Sequence, residues 1–491
     1  MATTDLQSHS AQLVIHNVHL ASISADDVPQ QTYTIICNGN EIATIRPAAV
    51  DGEVVSAQRI EQEYSNATIL DAGGRGILLP SFCHAHIHLD KCFLLPGGCD
   101  HLSTGGFQEA LKVTAKAKAG FPTHIDDLYA RGKRLVTESI KCGVTIMRAH
   151  VEVDQIVHMF CLDAGLRLKE EFKDTCDLQL AVFAQDPLFA GCESEEPGMN
   201  YDILCQAAGM SGVSAIGSAP YVEPSIAHAK RNIDLVLELA FREKLHVDFH
   251  LDYNLDQGSE PLIWYLVSKL RERIRNNRWH LGARVCVGHA TRLTLFSHEE
   301  WHKLAQEVGD PMIGTVENCD GQTEDGTLAL TLVGLPPSDL YMMGRDMATP
   351  PRGTLDAIRL RREHNLRVAM SINNVGNAFT PQGTTDPLAL CPLGIAIFQA
   401  GTEEDTRILL EAITVVAKGA IQTPSTPEPT NLRLKAGHRA DLVLLHENDS
   451  LYEAALRPSY SRATIKNGML VATRMEQSWI LETETNHQNL K

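Results

Sequence analysis

One stretch of the chain is dense in metal-binding groups: Pro80-Ser81-Phe82-Cys83-His84-Ala85-His86-Ile87-His88-Leu89-Asp90-Lys91. In extended backbone successive side chains alternate between faces, so His86 and His88 point the same way. Two imidazoles on one face at the end of a strand suit a borderline divalent ion such as zinc or iron. Taken alone, a His-x-His stretch is equally well a histidine-rich surface loop. Further along, His250 closes the alternating run His246-Val247-Asp248-Phe249-His250, and His289 closes Val285-Cys286-Val287-Gly288-His289. A single strand-end histidine is ordinarily a hydrogen-bonded core residue. Four of them, at the ends of three separate strands, are much harder to explain that way. The chemistry such a cluster supports is activation of water, whose pKa falls from about 15.7 toward neutrality on a bound cation.

Elements far apart in the chain must bring these groups together. At 491 residues the chain exceeds one small core, and a barrel of roughly 250 to 400 residues with a satellite domain is the natural division. The apolar run 76–79 reads as a buried strand stopped by Pro80. Strand-like runs follow at 144–148, 178–183, 213–216, 247–250, 285–289, 312–316 and 367–372. Helical patterns lie between them at 128–139, 156–173, 233–244, 262–275, 299–307 and 354–364. Strand and helix alternating in this way predict an α/β fold, a (β/α)₈ TIM-type barrel. In such barrels the working residues stand at the C-terminal strand ends. Here those ends carry His86 and His88, His150, Gln185, His250, His289 and Asn373. Residues 13–24 and 33–46, and residues 440–445 and 463–472, are instead hairpin-like, with Asn38-Gly39-Asn40 and Asn467-Gly468 as turns. They predict a small β-sandwich-like accessory domain built from both chain ends, residues 1–75 and 426–491, around a barrel of 76–425. Residues 320–337 interrupt the rhythm and read as a loop over the barrel mouth, a lid; residues 423–429 read as a linker.

The run His86-Ile87-His88-Leu89-Asp90-Lys91, with the later ordered histidines, resembles the amidohydrolase superfamily, and within it the cytosine deaminase and N-isopropylammelide amidohydrolase branch. The likeness extends through 178–185, 247–252, 287–289, Met343-Gly344-Arg345 and 367–384. It also takes in the terminal Ala440-Asp441-Leu442-Val443-Leu444 and Lys466-Asn467-Gly468. The resemblance implies one divalent metal ion, zinc or iron with manganese as a further option, held by His86, His88 and His250. It implies that His289 polarises water or substrate, and that Gln185, with Asn374, binds a small nitrogen heterocycle or cyclic amide. The implied reaction is hydrolysis of a C–N bond in such a ring.

Two positions depart from that family's pattern. A glutamate that shuttles protons is expected three residues after the strand-5 histidine, but the run here is His250-Leu251-Asp252-Tyr253. An aspartate is expected after strand 8, where this chain has Ser371-Ile372-Asn373-Asn374. Asn373 is neutral and takes no proton from water. Tyr253, with an ordinary pKa near about 10, is a proton donor rather than a base at neutral pH. Asp252 shares the His250 face in extended backbone and is the first substitute for the missing carboxylate. An altered proton relay through Tyr253 and Asn373 is therefore expected. The alternatives are a hydrolytically impaired chain that binds a ligand or regulates, or a metal lyase or isomerase.

Composition narrows the setting. A formal net charge of −18 argues against nucleic acid or an anionic membrane as partner. No apolar run approaches the roughly 18 residues that span a bilayer. The polar start shows no secretory signal, and the 12 cysteines have no framework spacing, so free thiols and a cytoplasmic location are expected. A homo-oligomer is compatible with this kind of barrel.

Overall fold

The computed structural model of the protein describes residues 12–21, 31–95, 101–280, 282–309, 328–422 and 428–479. Eight parallel strands form the central sheet. They are β1 (Phe82–His88), β2 (Val144–Glu152), β3 (Asp177–Ala184), β4 (Val213–Ser218), β5 (His246–Leu251), β6 (Val285–His289), β7 (Leu330–Gly334) and β8 (Ala369–Met370). Each pairs with the next in chain order. The ring closes just past β8, where Ile87 bridges Asn373 and the His88 N–H donates to the Asn373 carbonyl at 2.8 Å. This is the (β/α)₈ barrel that the alternation predicted. β2 is buried along its whole length, and its polar Arg148, His150 and Glu152 alternate with Ala149 and Val151.

A second sheet draws on both chain ends. Its strands Met469–Arg474, Arg462–Lys466, Leu442–Leu445, Ile77–Pro80, Gln12–Leu20, Tyr33–Asn38 and Glu41–Pro47 are neighbours in that order, and Thr68–Asp71 pairs with Gln12–Leu20. Leu13, Ile15, Ile35, Leu442, Leu444 and Ile465 form its core. Asn467 and Gly468 take φ of 50° and 70°, the left-handed pair that a two-residue hairpin turn needs.

Two segments differ from the sequence expectations. The run at 76–79 is not the first barrel strand: Ile77–Pro80 pairs antiparallel with Leu442–Leu445 in the accessory sheet, and the barrel begins after the break at Pro80 and Ser81. The expected seventh strand at 312–316 lies outside the described residues, as do 320–327 of the expected lid and 423–427 of the linker. The rest of the expected lid is not a loop, because Leu330–Gly334 supplies β7, paired with β6 through Val285 to Gly288. Its flanking glycines and prolines disguised a buried strand as a turn region.

Among the described residues, no helix is long and apolar enough to cross a membrane.

Candidate metal and active site

His86 and His88 of β1 point into the barrel, and His84 does not, because the strand contains an irregularity. His84 pairs with Met147 and Ile87 with Ala149, so three residues on β1 match two on β2. Such a bulge shifts side chains to the other face. His84 consequently faces outward, its Nε2 3.2 Å from Ser139 Oγ, while His86 and His88 face inward. His250 reaches them from the end of β5. Its Nε2 lies 3.1 Å from His86 Nε2 and 2.9 Å from His88 Nε2. All three rings are buried.

The surroundings fix the protonation of this trio. His86 Nδ1 lies 3.1 Å from Asp248 Oδ1, so that nitrogen carries the proton and Nε2 keeps a lone pair. Burial would raise the Asp248 carboxyl, but His86, His150 and Arg148 outweigh it and hold its pKa at about 2. Burial first, and the neighbouring histidines second, push His250 well below its ordinary value; burial and Lys91 do the same to His88. Nitrogens of the three rings therefore converge on one point, with His88 and His250 kept neutral. A single proton could reconcile one pair of lone pairs. A divalent cation reconciles all three, and His86, His88 and His250 have the donor chemistry and the convergence for it. Nearby, Asn373 Oδ1 is buried with no hydrogen-bond partner, while its Nδ2 donates to Ser338 Oγ at 2.7 Å. The side chain is thus oriented, with one acceptor left over.

The cavity beside this trio is walled by His88, Lys91, Gln185, Tyr221, His250, Tyr253, His289, Asn373, Asn374 and Phe379, and has a volume of about 20 Å³. His289 closes one side. Its Nδ1 lies 2.7 Å from Asp339 Oδ1, and its ring stacks on Tyr253 with centroids 3.8 Å apart. Asp339 is itself held by Thr354 Oγ1 at 2.8 Å and the Leu335 N–H at 3.1 Å. Burial lowers the His289 pKa, against the pull of Asp339, leaving a neutral ring whose Nε2 is the nitrogen left for the cavity. Burial, then Asp339 and Tyr221, push the Tyr253 hydroxyl well above its ordinary value, so it holds its proton. Gln185 Oε1 accepts from Lys91 Nζ at 3.1 Å and Gln185 Nε2 lies 3.4 Å from Tyr221 Oη. The Lys91 charge is balanced by Glu152 Oε2 at 3.0 Å. Asn374 Oδ1 accepts from Asn377 Nδ2 at 2.7 Å.

Of the residues picked out in the sequence, His86, His88, His250, His289, Tyr253, Gln185, Asn373 and Asn374 come together around this cavity. Asp252 does not. Its φ of 54° breaks the extended alternation on which its placement rested. Its carboxylate instead accepts the Leu262 and Ile263 N–H groups at 2.8 and 3.0 Å, at the start of the helix Ile263–Arg275. Burial raises its pKa to about 6, yet it is a helix anchor and lines no part of the cavity. Sequence reasoning missed Asp339, which the chain supplies 50 residues after His289 and which no local pattern announces. It also gave Asp248 no role, although that residue alternates onto the His250 face. The acidic group Glu152, Asp154 and Asp186 is already neutralised by Lys118 Nζ at 2.6, 2.6 and 2.7 Å. A further cavity of about 430 Å³ is walled by Trp301, Arg352, Leu355 and Phe398, among others, and includes none of the clustered histidines.

No protein-family model matches the chain. It is similar to N-isopropylammelide isopropyl amidohydrolase of Pseudomonas sp. (strain ADP), 23% identical over 469 residues that cover 94% of this chain and 98% of that protein. Among solved structures it is similar to 5-methylcytosine deaminase from Klebsiella pneumoniae liganded with phosphonocytosine, with TM-score 0.75 and 21% identity over 95% of this chain and all of that one. An adenosine deaminase from Xanthomonas campestris with bound zinc shares the fold at TM-score 0.61 and 14% identity, covering 95% of this chain and 94% of that one.

Proposed function

We propose that the chain is a member of the amidohydrolase superfamily, on its cytosine deaminase-like branch, and hydrolyses a C–N bond in a small nitrogen heterocycle with the help of one divalent cation. A sequence relationship spanning nearly the whole chain supports this reading, together with a barrel shared with enzymes named for deamination and amine release. The observation that carries it is the meeting of the His86 and His88 nitrogens with that of His250, at 3.1 and 2.9 Å, at the end of the barrel.

The chemistry a divalent cation supplies when bound at these histidines is Lewis acidity, which brings water toward hydroxide near neutral pH. The remaining work falls to this chain's own groups. With Nδ1 committed to Asp339, His289 accepts a proton from the attacking water at Nε2 and returns it to the departing nitrogen. Asp339 fixes the tautomer that makes this direction of transfer available. Tyr253 cannot act as the base; its hydroxyl keeps its proton and donates a hydrogen bond to a ring acceptor, while His289 alone carries the transferred proton. Asn373 Oδ1 accepts a hydrogen bond from that water without removing its proton, so His289 inherits the role of the absent carboxylate. Lys91 occupies the acceptor side of Gln185, so the wall near the substrate is rich in donors. A ring bearing carbonyl oxygens or unprotonated ring nitrogens matches it.

The test is reconstitution with zinc, iron or manganese, followed by a panel of cyclic amides and amidines assayed for released ammonia or amine. Turnover is expected for at least one ring, and His250→Ala should lose both tightly held metal and activity. Full metal loading with no amine released from any ring would sink the hydrolytic reading.

A further inference from the structure

The helix His298–Glu307 opens with His298-Glu299-Glu300-Trp301-His302, two histidines four residues apart on one helical face. That spacing binds zinc when a helix carries it, but here the structure brings a different trio together. His298 meets Glu363 and His364, which end the neighbouring helix Ala357–His364, and one ligand-type atom from each lies within 4.8 Å of the others. The His298 and His364 rings stand 4.7 Å apart at 43°.

His364 is the telling member. Its side chain is 0% exposed, yet neither Nδ1 nor Nε2 has a hydrogen-bond partner. Glu363 Oε2 is 3.8 Å from Nε2, beyond hydrogen-bond reach. Buried polar atoms are nearly always paired, so an imidazole with both nitrogens idle points to an absent partner. Glu363 Oε2 accepts from Arg359 Nε at 3.0 Å, which orients the carboxylate beside His364. The acidic first turn, Glu299 and Glu300, offsets the positive helix end beside His298.

We propose that His298, Glu363 and His364 form a second divalent-cation site, with two imidazoles and one carboxylate, the donor set that suits zinc. Water would complete the coordination. The site is separate from the barrel-end trio and does not depend on it. It joins the helix after β6 to the helix before β8, the two strands that lead to His289 and Asn373. A bound ion would therefore tie together two walls of the cavity from outside the barrel.

The full-length protein, stripped with a chelator, is loaded with zinc chloride alone, desalted and assayed for zinc by mass spectrometry. Wild type should retain two equivalents. His298→Ala and Glu363→Gln, both at exposed positions, should retain one. His250→Ala should also retain one, and the double variant His250→Ala/His298→Ala none. Zinc should raise the melting temperature of His250→Ala and leave that of the double variant unmoved. Equal zinc content in wild type, His298→Ala and Glu363→Gln would overturn the proposal. A single equivalent lost in His298→Ala but kept in His250→Ala would uphold it while refuting the central site.

Discussion

His289 draws its role from the nitrogen it does not use for support. Asp339 holds Nδ1 at 2.7 Å, which leaves Nε2 for the proposed proton transfer. Asp339→Asn should lower kcat by about 10²–10⁴, the usual cost of disabling an acid–base partner, with zinc content unchanged. The pH profile separates this from simple damage. His289 must be unprotonated to accept a proton, and burial depresses its pKa below the ordinary imidazole value. Activity should therefore rise with pH along a limb lying below about 6.5. Asp339 pulls that pKa upward; removing its charge should move the acid limb to still lower pH. A profile that stays in place in Asp339→Asn would count against the relay.

At the scale of elements, β6 positions the trio without supplying a ligand to it. A Cβ on Gly288 would come within 2.9 Å of His86 Cε1 and 3.0 Å of its Nδ1, and the ring, wedged against Asp248, has little room to retreat. Gly288→Ala should keep the barrel, seen as unchanged far-ultraviolet circular dichroism, while weakening zinc affinity by about 10-fold or more in a competition titration, since displaced ligand support typically costs about 10–100-fold. Much of the scaffold could be read in advance. Alternating and apolar runs located most of the barrel strands, and strand-end polarity located the histidines, because both signals are local. The errors had non-local causes. Whether Ile77–Pro80 joins the barrel or the accessory sheet is decided by Leu442–Leu445, more than 350 residues away. Asp252 is the exception, misplaced by a local cause, its own left-handed backbone. Asp339 became visible only once helix Pro336–Met342 was packed beside the end of β6.

Across the whole molecule, accessory sheet and barrel are joined by buried charge. Arg462, on an accessory strand, grips Asp386 of the barrel through two contacts of 2.7 Å and also donates to the Cys142 carbonyl at 2.9 Å. Lys466, on the same strand, bridges Asp177 and Asp441 at 2.5 and 2.8 Å. Arg462→Ala would strand the Asp386 carboxylate, and breaking such a pair from one side costs about 3–5 kcal/mol. Urea unfolding should show a loss of that size. A change below about 1 kcal/mol would mean that the two parts are held by apolar packing instead. The cavity beside the trio carries three aromatic side chains, Tyr221, Tyr253 and Phe379, in its wall. A planar ring lying near His250 would find flat faces to stack on, which favours aromatic heterocycles over puckered rings of the same size.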